Sequence, residues 1–185
     1  MTEWQSIGIG RQRGVTLIEQ VMVLVIIAVL AGIAVPPLRK LLTRNQLQVA
    51  QTDFIAALQH ARARAVTSGV HTVLCPTRDG SHCRDDNRWD DGWLLGRDAD
   101  QDNQPDNQPL YVGRGYSGKL VIRSNSGRRQ VRFHPDGSAS GSNLTLLFCQ
   151  PSGTEPALSV VVANSGRIRG ATASSAQTAD CARAD

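Results

Sequence analysis

Arg167 and Arg169 flank Ile168 in the run Gly166-Arg167-Ile168-Arg169. Side chains alternate along a strand, so two guanidinium groups would leave one face while Ile168 enters the core from the other. Guanidinium groups match phosphate oxygens in bidentate fashion, which suits this pair to a polyanion backbone. Two phosphate contacts give weak, sequence-independent binding, with a log–log salt slope of about −0.9 per phosphate. The plain alternative is a strand edge that carries solvated arginines. Arg123, Arg128, Arg129 and Arg132 surround an expected hairpin and would enlarge a basic face. No aromatic residues interleave with these arginines, so base stacking on a single strand has little support.

Asp98, Asp100, Asp102 and Asp106 alternate as hard-oxygen calcium ligands do. The EF-hand register fails, because its sixth position is Asn103 rather than glycine and its twelfth is Pro109 rather than glutamate. This segment therefore reads as a solvated acidic loop, and neither a metal nor another cofactor is expected. Gly113, Gly115 and Gly118 match GxGxxG, but a strand-like run follows instead of the helix that phosphate binding needs. His60, His71, His82 and His134 have no ligand spacing, and no GxSxG occurs. Enzymatic activity is not expected.

Cys75, Cys83, Cys149 and Cys181 form an even set without a CxxC pair, which argues against a zinc site and for disulfides in an oxidising compartment. Three pairings are possible. The favoured one joins Cys75 to Cys83 around a short glycine-containing loop and Cys149 to Cys181 across a tail. The second bridge would contribute roughly 3–4 kcal/mol by loop entropy.

These residues need a scaffold. Strand-like runs at 70–75, 92–96, 110–112, 119–123, 129–133, 144–149 and 157–163 are separated by turn signals such as His-Pro-Asp-Gly and Asn-Ser-Gly. Before them, Leu47, Ala50, Phe54, Leu58, Ala61 and Ala65 recur at helical spacing, and Ser68-Gly69 ends the pattern. A helix packed on antiparallel strands is an α+β architecture. Charge is uneven: nine aspartates face three arginines between Asp79 and Asp106, and the chain from Asn107 onward is basic.

The front end is the most specific feature. Val15–Val35 is long and apolar enough to span a bilayer, yet contains Glu19. An ionised carboxylate there costs roughly 2.5–3.5 kcal/mol on insertion scales, so it needs a partner. Pro36-Pro37 follows the run where a secretory signal would carry a small-x-small cleavage site. A plain single-span anchor explains neither Glu19 nor Gly14. Arg11 and Arg13 precede the run and Arg39, Lys40 and Arg44 follow it, so charge alone does not orient it; the cysteines place the long C-terminal part outside. One helix is expected over about 15–66, loosened rather than ended by the prolines.

Gly14-Val15-Thr16-Leu17-Ile18-Glu19 followed by the apolar helix resembles the class III signal of type IV prepilins and pseudopilins. The resemblance implies a leader at 1–14, cleavage by a prepilin peptidase between Gly14 and Val15, and N-methylation of Val15, where the family usually has phenylalanine. It further implies an inner-membrane and filament-assembly helix at 15–37 and a periplasmic pilin-like domain at 38–185. Glu19 would then pair with the N-terminal amine of a neighbouring pilin or pseudopilin in a filament. LCPTRDGSHC, WDDGW, RFHPDGSASG and VVANSGRIRG resemble the FimT/GspH group of minor pilins and pseudopilins. In competence-associated FimT proteins the same GRxR arrangement is implicated in DNA uptake. That assigns double-stranded DNA contact to Gly166, Arg167 and Arg169, with Arg183 brought near by the Cys181 tether. The alternatives are a GspH-like minor pseudopilin of type II secretion and a membrane-anchored periplasmic binding module.

Overall fold

The computed structural model describes Gly14 and residues 16–125, 127–151 and 156–182. Two compact units divide the chain, Met1–Lys40 and Leu41–Asp185. Helix α1 (Leu17–Ser68) begins in the first and ends in the second, and its helical backbone runs through Pro36 and Pro37.

In the first unit Thr16 caps the helix: its Oγ1 accepts the Glu19 N–H at 3.4 Å, satisfying one of the orphan donors of the first turn. Leu17–Val35 is long and apolar enough to cross a membrane, and none of it is buried against the rest of the chain.

In the second unit the apolar stripe of α1 enters the core. Leu47, Ala50, Phe54, Leu58, Ala61 and Ala65 are all buried. Phe54 sits at the centre, with ring centroids 6.0 Å from Trp89, 5.7 Å from Trp93 and 5.3 Å from Phe148. Eight strands follow: β1 (Thr72–Pro76), β2 (Trp93–Arg97), β3 (Tyr111–Gly113), β4 (Val121–Ser124), β5 (Val131–Phe133), β6 (Leu144–Cys149), β7 (Leu158–Val162) and β8 (Ile168–Thr172). They form the expected antiparallel layer as two four-stranded sheets, ordered β3-β2-β1-β5 and β4-β6-β7-β8. Alternation marks each strand but says nothing of its partner, and consecutive strands β4 and β5 go to different sheets. A closing helix, α2 (Ser175–Ala182), lies in the tail that the Cys149–Cys181 bridge was expected to cross. Ser174 and Gln177 cap it reciprocally: Gln177 N–H donates to Ser174 Oγ at 3.3 Å, and Ser174 N–H donates to Gln177 Oε1 at 2.8 Å.

Cys75 is bonded to Cys83 and Cys149 to Cys181, with Cα–Cα separations of 5.5 Å and 5.9 Å. The first bridge closes the segment after β1; the second fixes α2 to the end of β6.

Candidate functional site

The Gly166-Arg167-Ile168-Arg169 run turns the chain from β7 into β8, the edge strand of its sheet. Gly166 has a φ of 75° and is buried. A Cβ on it would lie 1.9 Å from the carbonyl oxygen of Gly137. That carbonyl also accepts a hydrogen bond from Arg62 Nε of α1 at 2.8 Å, and Ala139 N–H donates to Asn164 O at 2.8 Å. The His-Pro-Asp-Gly turn and the Asn-Ser-Gly turn are thus docked on each other, with Arg62 as the tie. Within the motif, glycine shapes the turn.

Beyond it the expected alternation holds. Arg167 and Arg169 are exposed, whereas Ile168 is half-buried and packs against the core. Gln51 of α1 steadies this edge by donating to Ser159 O at 2.8 Å and to Ala171 O at 3.1 Å. Neither Arg167 nor Arg169 has a carboxylate partner among the described residues. Arg183 and Val15 lie outside the described residues.

The other arginines are differently employed. Arg129 pairs with Asp85, Arg132 with Asp98 at 3.4 Å, and Arg128 donates to Gly141 O at 2.6 Å. Arg123 lies on β4, the opposite edge of the sheet from β8, three strand spacings or about 14 Å away. These four do not extend the Arg167–Arg169 edge into one basic face. The sequence offered no means of pairing arginines with carboxylates so distant along the chain.

The aspartates between Asp79 and Asp91 serve structure. Asp79 accepts backbone N–H groups of Ser81 at 2.9 Å and His82 at 3.0 Å, which hold its carboxyl far below the usual range. Asp91 binds Arg78 at 2.8 Å and Arg84 at 2.6 Å, and those guanidiniums lower its pKa despite partial burial. Tyr116 donates to Asp53 of α1 at 2.5 Å, and burial together with that carboxylate pushes its phenol pKa up. His71 and His134, scattered in sequence, meet with ring nitrogens 3.0 Å apart. The loop after β2 differs from the solvated segment its register implied: Asp98 is fully buried, and Asp98, Asp100 and Asp106 converge.

An apolar helix with a capped, acid-bearing first turn, followed by a helix-on-sheet domain closed by disulfides, defines a type IV pilin-like subunit. The model of the family described as Type II transport protein GspH matches residues 50–166, and that of the prokaryotic N-terminal methylation motif matches residues 9–35. The chain belongs to the GspH family, whose members are structural pilin and pseudopilin subunits. Among solved structures it is similar to the type IV minor pilin FimU of Pseudomonas aeruginosa, with TM-score 0.54 and 24% identity over 68% of this chain and 88% of that one. A second crystal form of FimU gives TM-score 0.54 and 22% identity over 67% and 91%. The minor pseudopilin EpsH from the type 2 secretion system of Vibrio cholerae gives TM-score 0.49 and 12% identity over 68% and 95%. At these identities the likeness to FimU is one of fold. No curated protein sequence matches significantly.

Proposed function

We propose that this chain is a minor subunit of a type IV pilus-type filament that contributes to DNA capture through Arg167 and Arg169. It is inserted in the inner membrane as a precursor with its C-terminal domain in the periplasm, cut after Gly14 by a prepilin peptidase, and methylated on Val15. The observation that carries the DNA reading is the contrast among arginines. Arg84, Arg88, Arg129 and Arg132 are neutralised by neighbouring aspartates, whereas Arg167, just before the edge strand β8, and Arg169, on it, stand exposed with no carboxylate partner among the described residues. A guanidinium already bound to carboxylate gains little from phosphate; a free one gains a charge-assisted bidentate contact.

The test is retardation of a short DNA duplex by the full chain in detergent, across a salt series. The expected slope of log affinity against log salt is about −1.8 for two phosphates per subunit. Arg167→Ala/Arg169→Ala should abolish the shift, while Arg128→Ala should leave it. Binding that the double variant retains, or that does not fall with salt, defeats the DNA reading.

A second reading is favoured by the family match: a minor pseudopilin of type II secretion, whose partners are other pseudopilins. It shares the processing and the filament, and differs in having no use for DNA. Absent DNA binding with intact filament incorporation would select it.

A further inference from the structure

We propose that Arg62 of α1 is a third contact to the DNA backbone, set beside Arg167 in one groove. The inference rests on the DNA reading above and extends its site from the edge strand onto the helix. Arg62 is exposed, and its guanidinium lies in a slot that two glycines leave open. A Cβ on Gly166 would meet Arg62 Nε at 3.1 Å; one on Gly137 would meet Nε at 3.2 Å and Nη2 at 3.5 Å. Nε donates to Gly137 O at 2.8 Å. That bond goes to a neutral carbonyl, so it fixes the side chain and leaves its charge in place. Like Arg167 and Arg169, Arg62 has no carboxylate partner among the described residues. Asp136, in the same turn as Gly137, accepts the Ser138 N–H at 2.8 Å instead.

Position matters as much as charge. Arg167 follows Gly166 directly, and consecutive Cα atoms are about 3.8 Å apart. The Arg62 guanidinium therefore stands beside the backbone that carries Arg167. Both residues line one groove with Gln59, Val66, Ser165 and Ile168, and no acidic residue lines it. Like charges brought together there repel, and nothing in the groove relieves them. Phosphates laid along it would, because guanidinium groups take phosphate oxygens in bidentate pairs. Arg64 shows the contrast. It too is exposed without a carboxylate partner, but it lies about 200° round the helix from Arg62 and outside the groove.

Arg62 also ties the turn, so the test must separate the tie from the charge. Glutamine carries Nε2 at the same point along the side chain as arginine Nε, and keeps a donor for Gly137 O without the guanidinium. Lysine does the reverse: a methylene replaces Nε, and the ammonium takes the place of the guanidinium carbon.

The experiment is fluorescence anisotropy of a short DNA duplex with the full chain in detergent, across a salt series, beside thermal melting of each variant. Arg167 and Arg169 alone give a log–log slope of about −1.8, and a third phosphate takes the parent to about −2.7. Between about 50 and 200 mM salt, affinity should then fall about 40-fold for the parent and about 12-fold for Arg62→Gln. Arg62→Gln should melt like the parent. Arg62→Lys should keep the steeper slope even if it melts lower, and Arg64→Gln should match the parent in both. A parental slope in Arg62→Gln, or an equal loss in Arg64→Gln, overturns the contact and leaves the DNA reading in place. An equal loss in Arg62→Lys assigns Arg62 to the turn alone and overturns the contact likewise. A parent that binds no duplex overturns the DNA reading and this contact together.

Discussion

Gly166 occupies a left-handed backbone conformation and has no room for a side chain, because the Gly137 carbonyl fills the place of its Cβ. Strain of this kind costs roughly 1–3 kcal/mol, and the clash adds to it. Gly166→Ala is therefore expected to lower stability by at least about 2 kcal/mol, read as a fall in the urea midpoint. It should also weaken any function of Arg167 and Arg169 by moving the hairpin that carries them. The control that separates the two effects is Arg167→Ala/Arg169→Ala, which removes exposed groups that have no carboxylate partner among the described residues and should leave the midpoint in place. Loss of DNA binding in the glycine variant alone would thus report on the fold of the turn.

At the scale of elements, the segment from Thr77 to Asp91 contributes no strand or helix to the fold and is held by the buried Trp89, a β-bridge between Arg88 and Arg123, ion pairs and the Cys75–Cys83 bridge. Arg78 and Arg84 hold Asp91 below its usual carboxylate range. A carboxylate whose folded pKa is depressed adds stability that is present above the unfolded value of about 3.9 and is lost as pH falls through the folded one. Asp91→Asn should lower the urea midpoint at pH 7, and the difference from the parent should shrink progressively below pH 4. A difference that stays constant with pH would assign the effect to lost packing. How legible such elements were depends on how local their causes are. The stripe of α1 and the alternation of β6 are written in adjacent residues, and LTLLFC reads directly as a strand with one buried face. The Ser174–Gln177 capping box was equally local and marks α2, although the surrounding small residues masked it. What no local pattern conveys is partnership across the fold. The division of β4 and β5 between sheets, the His71–His134 contact and the burial of Asp98 beside Arg132 all depend on residues distant in sequence. The Arg167–Arg169 edge was legible because strand alternation alone positions it; the role of Arg62 beneath it was not.

For the whole molecule the deciding fact is an apolar helix segment that the described residues leave exposed. Leu17–Val35 has no buried residue, and Glu19 has no side-chain partner among the described residues. Lipid or neighbouring helices can cover the apolar side chains, but lipid alone leaves the carboxylate uncompensated, at a cost of roughly 2.5–3.5 kcal/mol at the bilayer centre and less toward its edge. A positive group from another subunit would compensate it, and a buried charge is tolerable when so paired. On the proposed function, the helix would insert without Glu19 and need it for assembly. If the parent is processed as proposed, Glu19→Ala is expected to reach the membrane and lose residues 1–14 equally well, and to be missing from sheared filaments by immunoblot. Glu19→Gln distinguishes the cause, since it keeps hydrogen bonding and removes the charge. If the glutamine variant also fails to incorporate, the ion pair drives assembly; if it incorporates normally, a hydrogen bond suffices. An alanine variant found in filaments at the parental level would show that the helices bundle without Glu19, leaving the carboxylate to the membrane edge.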